Sequence, residues 1–106
     1  MNVVIFITVS GKEEADKIAT KLVEEKLAAC VNIIGNVESV FWWEGKIDRA
    51  KELLLVAKST AEKVDEIIAA VKSLHSYEVP EIIALPISAG FKPYLNWINE
   101  SVRKPD

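Results

Sequence analysis

The sequence contains one cysteine, Cys30, and one histidine, His75, among its 106 residues. A single cysteine excludes a disulfide within the chain and a four-cysteine zinc site within one subunit. The chain also lacks a Walker loop, a GxGxxG fingerprint and an HExxH motif, and no activated nucleophile is recognisable. The one enzymatic alternative is an acid–base cluster of His75, Tyr77, Glu78 and Glu81. These absences favour binding and assembly over catalysis, and no catalytic residue is predicted.

The sequence also has no excess of basic residues over acidic ones. Thirteen lysine and arginine residues against sixteen aspartate and glutamate residues give a formal net charge of −3. A nucleic-acid partner needs a concentrated positive field, so none is expected. The N-terminal segment MNVVIFITVSGKEEAD has no basic leader, and its apolar run is too short to cross a bilayer. We therefore expect no membrane partner and an intracellular location.

Strand and helix patterns follow one another in a regular order. The apolar, β-branched run Val3–Val9 predicts a central strand covered on both faces. Apolar residues at helical spacing predict one helix after Ser10 and a second after Ser59, and both starts carry a Ser-x-x-Glu capping-box pattern. Pro80 cannot donate a ladder hydrogen bond, so the last strand is expected over 81–87.

A long β-hairpin is predicted between the two helices. Alternating apolar and polar residues place its strands over 29–43 and 46–58, with a bend at Gly35. Glu44-Gly45 fits a two-residue turn, because glycine takes the positive φ that tight hairpin turns require. After the last strand, Pro93 fits the first turn of a C-terminal helix.

This order predicts an α+β fold, a ferredoxin-like βαββαβ sandwich with an antiparallel sheet and a C-terminal helix, in one domain spanning residues 1–106. Both main helices should cover one face of the sheet. The chain has too few helices to cover the other face alone, so association with further copies is expected. Phe41, Trp42 and Trp43 strengthen this expectation, because consecutive strand residues point to both faces. At least one of them points away from the subunit's own core, into an interface or a cleft or beneath a folded strand end.

Four segments, taken together and in this order, resemble the CutA family of divalent-cation tolerance proteins. The segments are LAACVNI at 27–33, SVFWWEGKI at 39–47, HSYEVPEIIALPI at 75–87 and YLNW at 94–97. The resemblance implies a ferredoxin-like subunit in a homotrimer similar in plan to the PII signalling proteins, with long hairpins pairing between subunits. It also implies a cytoplasmic location and a role in tolerance to copper and other divalent metals.

Three residues are candidate ligands for copper or another divalent cation. His75 offers a neutral ring nitrogen, a borderline ligand, and Cys30 offers a thiolate that favours soft ions. Glu81 from a neighbouring subunit adds a hard oxygen. Two of the three have a structural alternative. A free thiol at the start of a strand, such as Cys30, usually behaves as a small buried hydrophobe, and His75 suits a cation at the C-terminal end of a helix.

A second set of residues is predicted to form an inter-subunit cleft or interface: Phe41, Trp42, Trp43, Glu44 and Tyr77. Together with the resemblance, these residues predict a homotrimer that binds a metal ion or small ligand in its clefts. The first hypothesis is a divalent-cation tolerance protein that responds to metal ions. The alternative is a PII-like structural or signalling trimer whose clefts hold a small molecule or a partner protein.

Overall fold

The computed structural model describes residues 1–104 and has an open four-stranded antiparallel sheet with three helices. Its elements, in chain order, are β1 (Asn2–Val9), α1 (Lys12–Glu24), β2 (Cys30–Trp43), β3 (Lys46–Thr60), α2 (Val64–Leu74), β4 (Ile82–Pro86) and α3 (Lys92–Val102). The strand order in the sheet is β2-β3-β1-β4. The predicted α+β, ferredoxin-like fold is confirmed. Within the described residues, no helix is both long and apolar enough to cross a membrane.

The core lies between the sheet and the helices α1 and α2. The odd-numbered residues of β1, from Val3 to Val9, are buried there against Ile18 of α1 and Ile67 of α2. Full burial of each such side chain contributes roughly 1.5–3 kcal/mol. The even-numbered residues of β1 are only half-buried. The sequence predicted that both faces of β1 are covered. Within a single chain, only one face is fully buried.

Neither predicted capping box forms. Helix α1 begins after Gly11 without a side-chain cap, because Ser10 lies one residue too early to reach the first free amides. Ser59 still belongs to β3, where it pairs with Val3, and its buried hydroxyl donates a hydrogen bond to the Leu27 carbonyl at 2.5 Å. A turn of 3-10 helix at Ala61–Lys63 then leads into α2.

The β2–β3 hairpin has the predicted turn and the predicted bend. Glu44 and Gly45 both have positive φ, 50° and 77°, which is the conformation of a type I′ turn. The register shifts by a bulge between Ile34 and Val37, next to Gly35. β1 pairs with β3 only from Leu53 onward, so residues 46–52 of β3 and their partners in β2 extend beyond β1. The molecule is consequently elongated, 47 × 27 × 22 Å.

Helix α3 lies on the sheet face opposite α1 and α2, which we call the open face. Asn2 points to this face and donates hydrogen bonds to the Leu95 carbonyl and to Asn99 of α3 at 3.3 and 2.9 Å. α3 therefore covers one end of the face that the chain was expected not to cover alone. Ile83 and Leu85 of β4 alternate onto the same face and remain exposed. The open face is thus apolar and only partly covered.

Candidate functional site

A groove of about 860 Å³ lies on the open face, between the hairpin and the segment that follows α2. The hairpin contributes residues that share one face by strand alternation: Ser39, Phe41, Trp43, Asp48 and Glu52. The segment contributes residues from just after His75: Tyr77, Glu78, Val79, Pro80 and Glu81. The groove thus combines aromatic rings with several carboxylates.

Glu52 is at the centre of a hydrogen-bond network in the groove wall. Its side chain is only 7% exposed. The Ser39 hydroxyl donates to Glu52 Oε1, and the Tyr77 hydroxyl donates to Glu52 Oε2 at 2.7 Å. Burial raises the pKa of Tyr77 to about 12, and the hydrogen bond to Glu52 and the charges of Glu52 and Glu14 add to this shift. Tyr77 is therefore a stable neutral donor to the carboxylate.

His75 positions the segment that carries Tyr77. It caps the C-terminal end of α2, and its side chain is fully buried. Nε2 lies 2.7 Å from the Thr8 carbonyl and donates to it, while Nδ1 accepts the Tyr77 backbone N–H at 3.0 Å. This pattern assigns a neutral imidazole with the proton on Nε2. The metal role of His75 stays a prediction, and in this conformation an ion would have to displace one of the two partners.

Glu14 of α1 holds the same segment from the other side. Its Oε1 accepts the Ser76 backbone N–H at 2.8 Å. Its Oε2 lies 3.7 Å from His75 Nδ1 and is buried without a hydrogen-bond partner. The segment between α2 and β4 is therefore tied to α1 through Glu14, to β1 through His75 and to β3 through Tyr77.

Cys30 lies at the other end of the sheet. It pairs with Lys58, which pairs with Val4, whereas His75 contacts Thr8, roughly 13 Å further along β1. Cys30 is half-buried rather than enclosed. Burial raises the pKa of the Tyr94 hydroxyl, and its contact with Cys30 adds to the shift. One subunit therefore does not bring Cys30 and His75 together.

Of the predicted metal ligands, only Glu81 lines the groove, where it is exposed. Among residues 1–104, no three histidine, cysteine, aspartate or glutamate side chains are arranged to hold a metal ion. From the side chains of residues 1–104, a metal site with three such ligands would need a second copy of the chain or a rearrangement within one.

The predicted interface residues cluster at the hairpin. Phe41 and Trp43 face the groove, while Trp42 alternates onto the other side of the hairpin and is 72% exposed. Glu44 lies in the exposed turn, and Tyr77 lines the groove. The expectation that at least one of the three aromatic residues points away from the core is met by all three.

Sequence reasoning missed Glu52, Ser39 and Glu14. A signal for Glu52 was available, because strand alternation places this acid on the same face as the apolar residues Leu54 and Val56. Glu14 gave no such signal, since acidic residues are common in the first turn of an amphipathic helix and Glu13 lies beside it.

The fold and the groove define a ferredoxin-like protein with a carboxylate- and aromatic-lined pocket beside a long hairpin. Comparison with known proteins shows which family within this class the chain resembles. Residues 3–101 match the family described as CutA1 divalent ion tolerance protein. The chain belongs to this family, as its sequence motifs indicated.

The similar proteins include members from archaea, bacteria and plants. The divalent-cation tolerance protein CutA of Archaeoglobus fulgidus is 50% identical over 98 residues, covering 92% of this chain and 95% of that protein. Protein CutA 1, chloroplastic, of Oryza sativa is 45% identical over 103 residues, and this chain spans 58% of its length. The solved structure of the Cut A1 protein from Thermus thermophilus matches with a TM-score of 0.94 at 46% identity, over 95% of this chain and 98% of that one.

Proposed function

We propose that this chain is a divalent-cation-binding protein that works as a homotrimer, with the groove completed by a neighbouring copy. The observation that carries the proposal is the set of groove carboxylates on a sheet face that the chain does not cover by itself. Asp48 approaches from the hairpin, and Glu78 and Glu81 approach from the segment after α2. The names of the relatives support a role in tolerance to divalent ions and do not describe a reaction.

Self-association follows from the apolar surface that a single copy leaves in water. Trp42 and Ile47, opposite one another near the tip of the hairpin, are 72% and 64% exposed. On the open face, Ile83 and Trp97 are also exposed. Apolar surface spread over a projecting hairpin and an open sheet face is typical of an interface between subunits. The number three rests on the family resemblance.

The donors that the groove gathers are carboxylate oxygens, which suit harder divalent ions such as Mg²⁺, Ca²⁺ or Mn²⁺. Copper is the more specific form of the proposal, and it would engage His75 or Cys30. His75 would then have to release Thr8 or Tyr77. Cys30 would have to act with ligands from another subunit, because His75 of the same chain lies at the other end of β1.

Calorimetric titration distinguishes the hard-cation form of the proposal from the copper form. Mn²⁺ and Cu²⁺ are each added in turn to metal-free protein. We expect stoichiometric binding that Glu81→Gln weakens. Glu38→Gln is the matched control, because Glu38 is an exposed acid of the same hairpin that lies outside the groove. Loss of Cu²⁺ binding in His75→Ala or Cys30→Ala would assign the copper form. The absence of stoichiometric binding of either ion would refute the cation proposal.

The second candidate function is a PII-like structural or signalling trimer whose clefts hold a small molecule or a partner protein. The aromatic wall of Phe41 and Trp43 favours it, because aromatic rings supply contact area rather than metal ligands. A cytoplasmic location stays a prediction, since relatives are named chloroplastic and, in one solved structure from Archaeoglobus fulgidus, periplasmic.

A further inference from the structure

Both ring nitrogens of His75 are engaged by the main chain. Nε2 donates to the Thr8 carbonyl at 2.7 Å, and Nδ1 accepts the Tyr77 N–H at 3.0 Å. A neutral imidazole with its proton on Nε2 offers a metal ion one lone pair, that of Nδ1. A zinc ion on that lone pair would lie about 2.0–2.1 Å from the nitrogen, in the space that the Tyr77 N–H fills. Ligation through Nδ1 and the hydrogen bond to Tyr77 therefore exclude one another.

Ligation through Nε2 conflicts with the same two contacts. The proton would have to move to Nδ1, and the freed lone pair of Nε2 would then point at the Thr8 carbonyl oxygen, which is also an acceptor. The new N–H on Nδ1 would point at the Tyr77 N–H, which is also a donor. Neither hydrogen bond survives this change.

The burial of His75 is a property of one copy of the chain. Its side chain is 0% exposed within a single chain, and contact with neighbouring copies can only add to that burial. Ligands from another subunit therefore reach the ring only after the segment that follows α2 has moved away from β1. Association of copies by itself does not make the ring available to an ion.

Glu14 is the one acidic residue within ion-pair distance of the ring among residues 1–104. Its Oε2 lies 3.7 Å from Nδ1, and its Oε1 accepts the Ser76 N–H. Zinc sites in proteins have at least three protein ligands, and within the described residues no third histidine, cysteine, aspartate or glutamate side chain completes such a set. The surroundings of His75 therefore do not fit a metal ion, although the family is described by tolerance to divalent ions.

We infer that His75 is a positioning residue of the groove and not a metal ligand. Its two hydrogen bonds fix the start of the segment after α2 to β1, and this places the Tyr77 hydroxyl at Glu52. The inference does not depend on cation binding in the groove. It removes His75 from the copper form of the proposed function.

Nuclear magnetic resonance tests the inference directly, because His75 is the only histidine and its ring signals need no assignment. The tag-free chain, labelled with ¹⁵N in the imidazole, should show a neutral ring protonated on Nε2 near neutral pH. Zn²⁺ and Cu⁺, both diamagnetic, are then added in excess to separate samples, the Cu⁺ sample under anaerobic reducing conditions. Free imidazole titrated in parallel is the positive control. We expect the ring ¹⁵N shifts of His75 to change much less than those of the control, and a change comparable to the control would overturn the inference.

Two amide substitutions test the positioning role, because each retains one of the two contacts. His75→Asn keeps an acceptor oxygen near the place of Nδ1, and His75→Gln keeps an N–H donor near the place of Nε2. Amide hydrogen exchange at Tyr77 should stay within about twofold of the unaltered protein in His75→Asn and become roughly threefold to tenfold faster in His75→Gln. Equal exchange at Tyr77 in the two variants would overturn the positioning role.

Both substitutions also remove the imidazole, which is the group that a copper ion would use. Calorimetry should nevertheless give the same Cu²⁺ binding for His75→Asn as for the unaltered protein, and a clear loss in folded His75→Asn would overturn the inference. The Mn²⁺ titration with Glu81→Gln concerns the groove carboxylates alone. A failed cation proposal therefore leaves the role of His75 standing, and the reverse also holds.

Discussion

The Tyr77 hydroxyl donates a 2.7 Å hydrogen bond to Oε2 of Glu52, 25 residues away in the sequence. This bond connects the segment after α2 to the point where β3 leaves the body of the sheet and enters the hairpin. It therefore joins the two sides of the groove. The half-buried Tyr77 ring also packs against His75 in a tilted arrangement, with ring centroids 4.8 Å apart and an interplanar angle of 49°.

The first prediction concerns this hydrogen bond. Tyr77→Phe should lower the free energy of unfolding by about 1–3 kcal/mol, because it removes a donor from a buried carboxylate. Denaturant titration at a fixed protein concentration measures the change. Tyr94→Phe is the control, since its hydroxyl meets only the weak hydrogen-bonding sulfur of Cys30. An equal effect of both substitutions would contradict the special role of the Tyr77–Glu52 bond.

The second prediction concerns alkaline pH. Tyrosine in an unfolded chain ionises near pH 10, whereas folded Tyr77 keeps its proton until about pH 12. Between these values the folded state holds more protons than the unfolded state, so the contribution of Tyr77 to stability is complete below pH 10 and is lost as the pH rises toward 12. Ultraviolet titration of the phenolates should show this late component, and Tyr77→Phe should lack it. A native phenolate signal complete near pH 10 would contradict the buried bond.

The third prediction concerns the tie between α1 and the segment after α2. Glu14→Ala removes the acceptor of the Ser76 N–H and should lower the free energy of unfolding by about 1 kcal/mol. Amide hydrogen exchange at Ser76 should become faster. Glu13→Ala is the matched control, because Glu13 is exposed and only loosely paired with Lys17, at 3.6 Å. Unchanged exchange at Ser76 in Glu14→Ala would show that this contact does not hold the segment.

Local sequence signals predicted well those turns and helix ends that depend on adjacent residues. The type I′ turn at Glu44-Gly45 and the start of α3 near Pro93 each depend on backbone preferences of one or two residues. The predicted capping boxes do not form, because Ser10 and Ser59 fit the sequence pattern but neither residue occupies an N-cap position. Ser59 is held in β3 by pairing with Val3, a contact with a residue 56 positions earlier in the chain.

The candidate site was less predictable, because tertiary contacts build it. Tyr77 and Glu81 were recognisable from a motif, and the structure places both in the groove. Glu52 became important only when β3 paired with β2 and brought Ser39 beside it, a relationship that depends on the bulge at Gly35. Cys30 and His75 were each predicted as metal ligands, and within one subunit the sheet holds them at different ends of β1.

The fourth prediction concerns the hairpin turn. Gly45→Ala should lower the free energy of unfolding by about 1–2 kcal/mol, because a Cβ is disfavoured at its φ of 77°. Gly35→Ala should cost less, since Gly35 does not have positive φ and an added Cβ there meets nothing within 4 Å. Thermal unfolding of the two variants under identical conditions measures the difference. A larger loss for Gly35→Ala would contradict the assigned turn.

The most direct test of the whole account is the mass of the protein in solution, because the proposed inter-subunit clefts require several copies to meet at the open face and the hairpin. Multi-angle light scattering at micromolar concentration should give three times the subunit mass of 11.8 kDa. In Trp42→Lys, which places a charge on the exposed side of the hairpin, the assembly should weaken. If the unaltered protein has the mass of one subunit under these conditions, the account is contradicted.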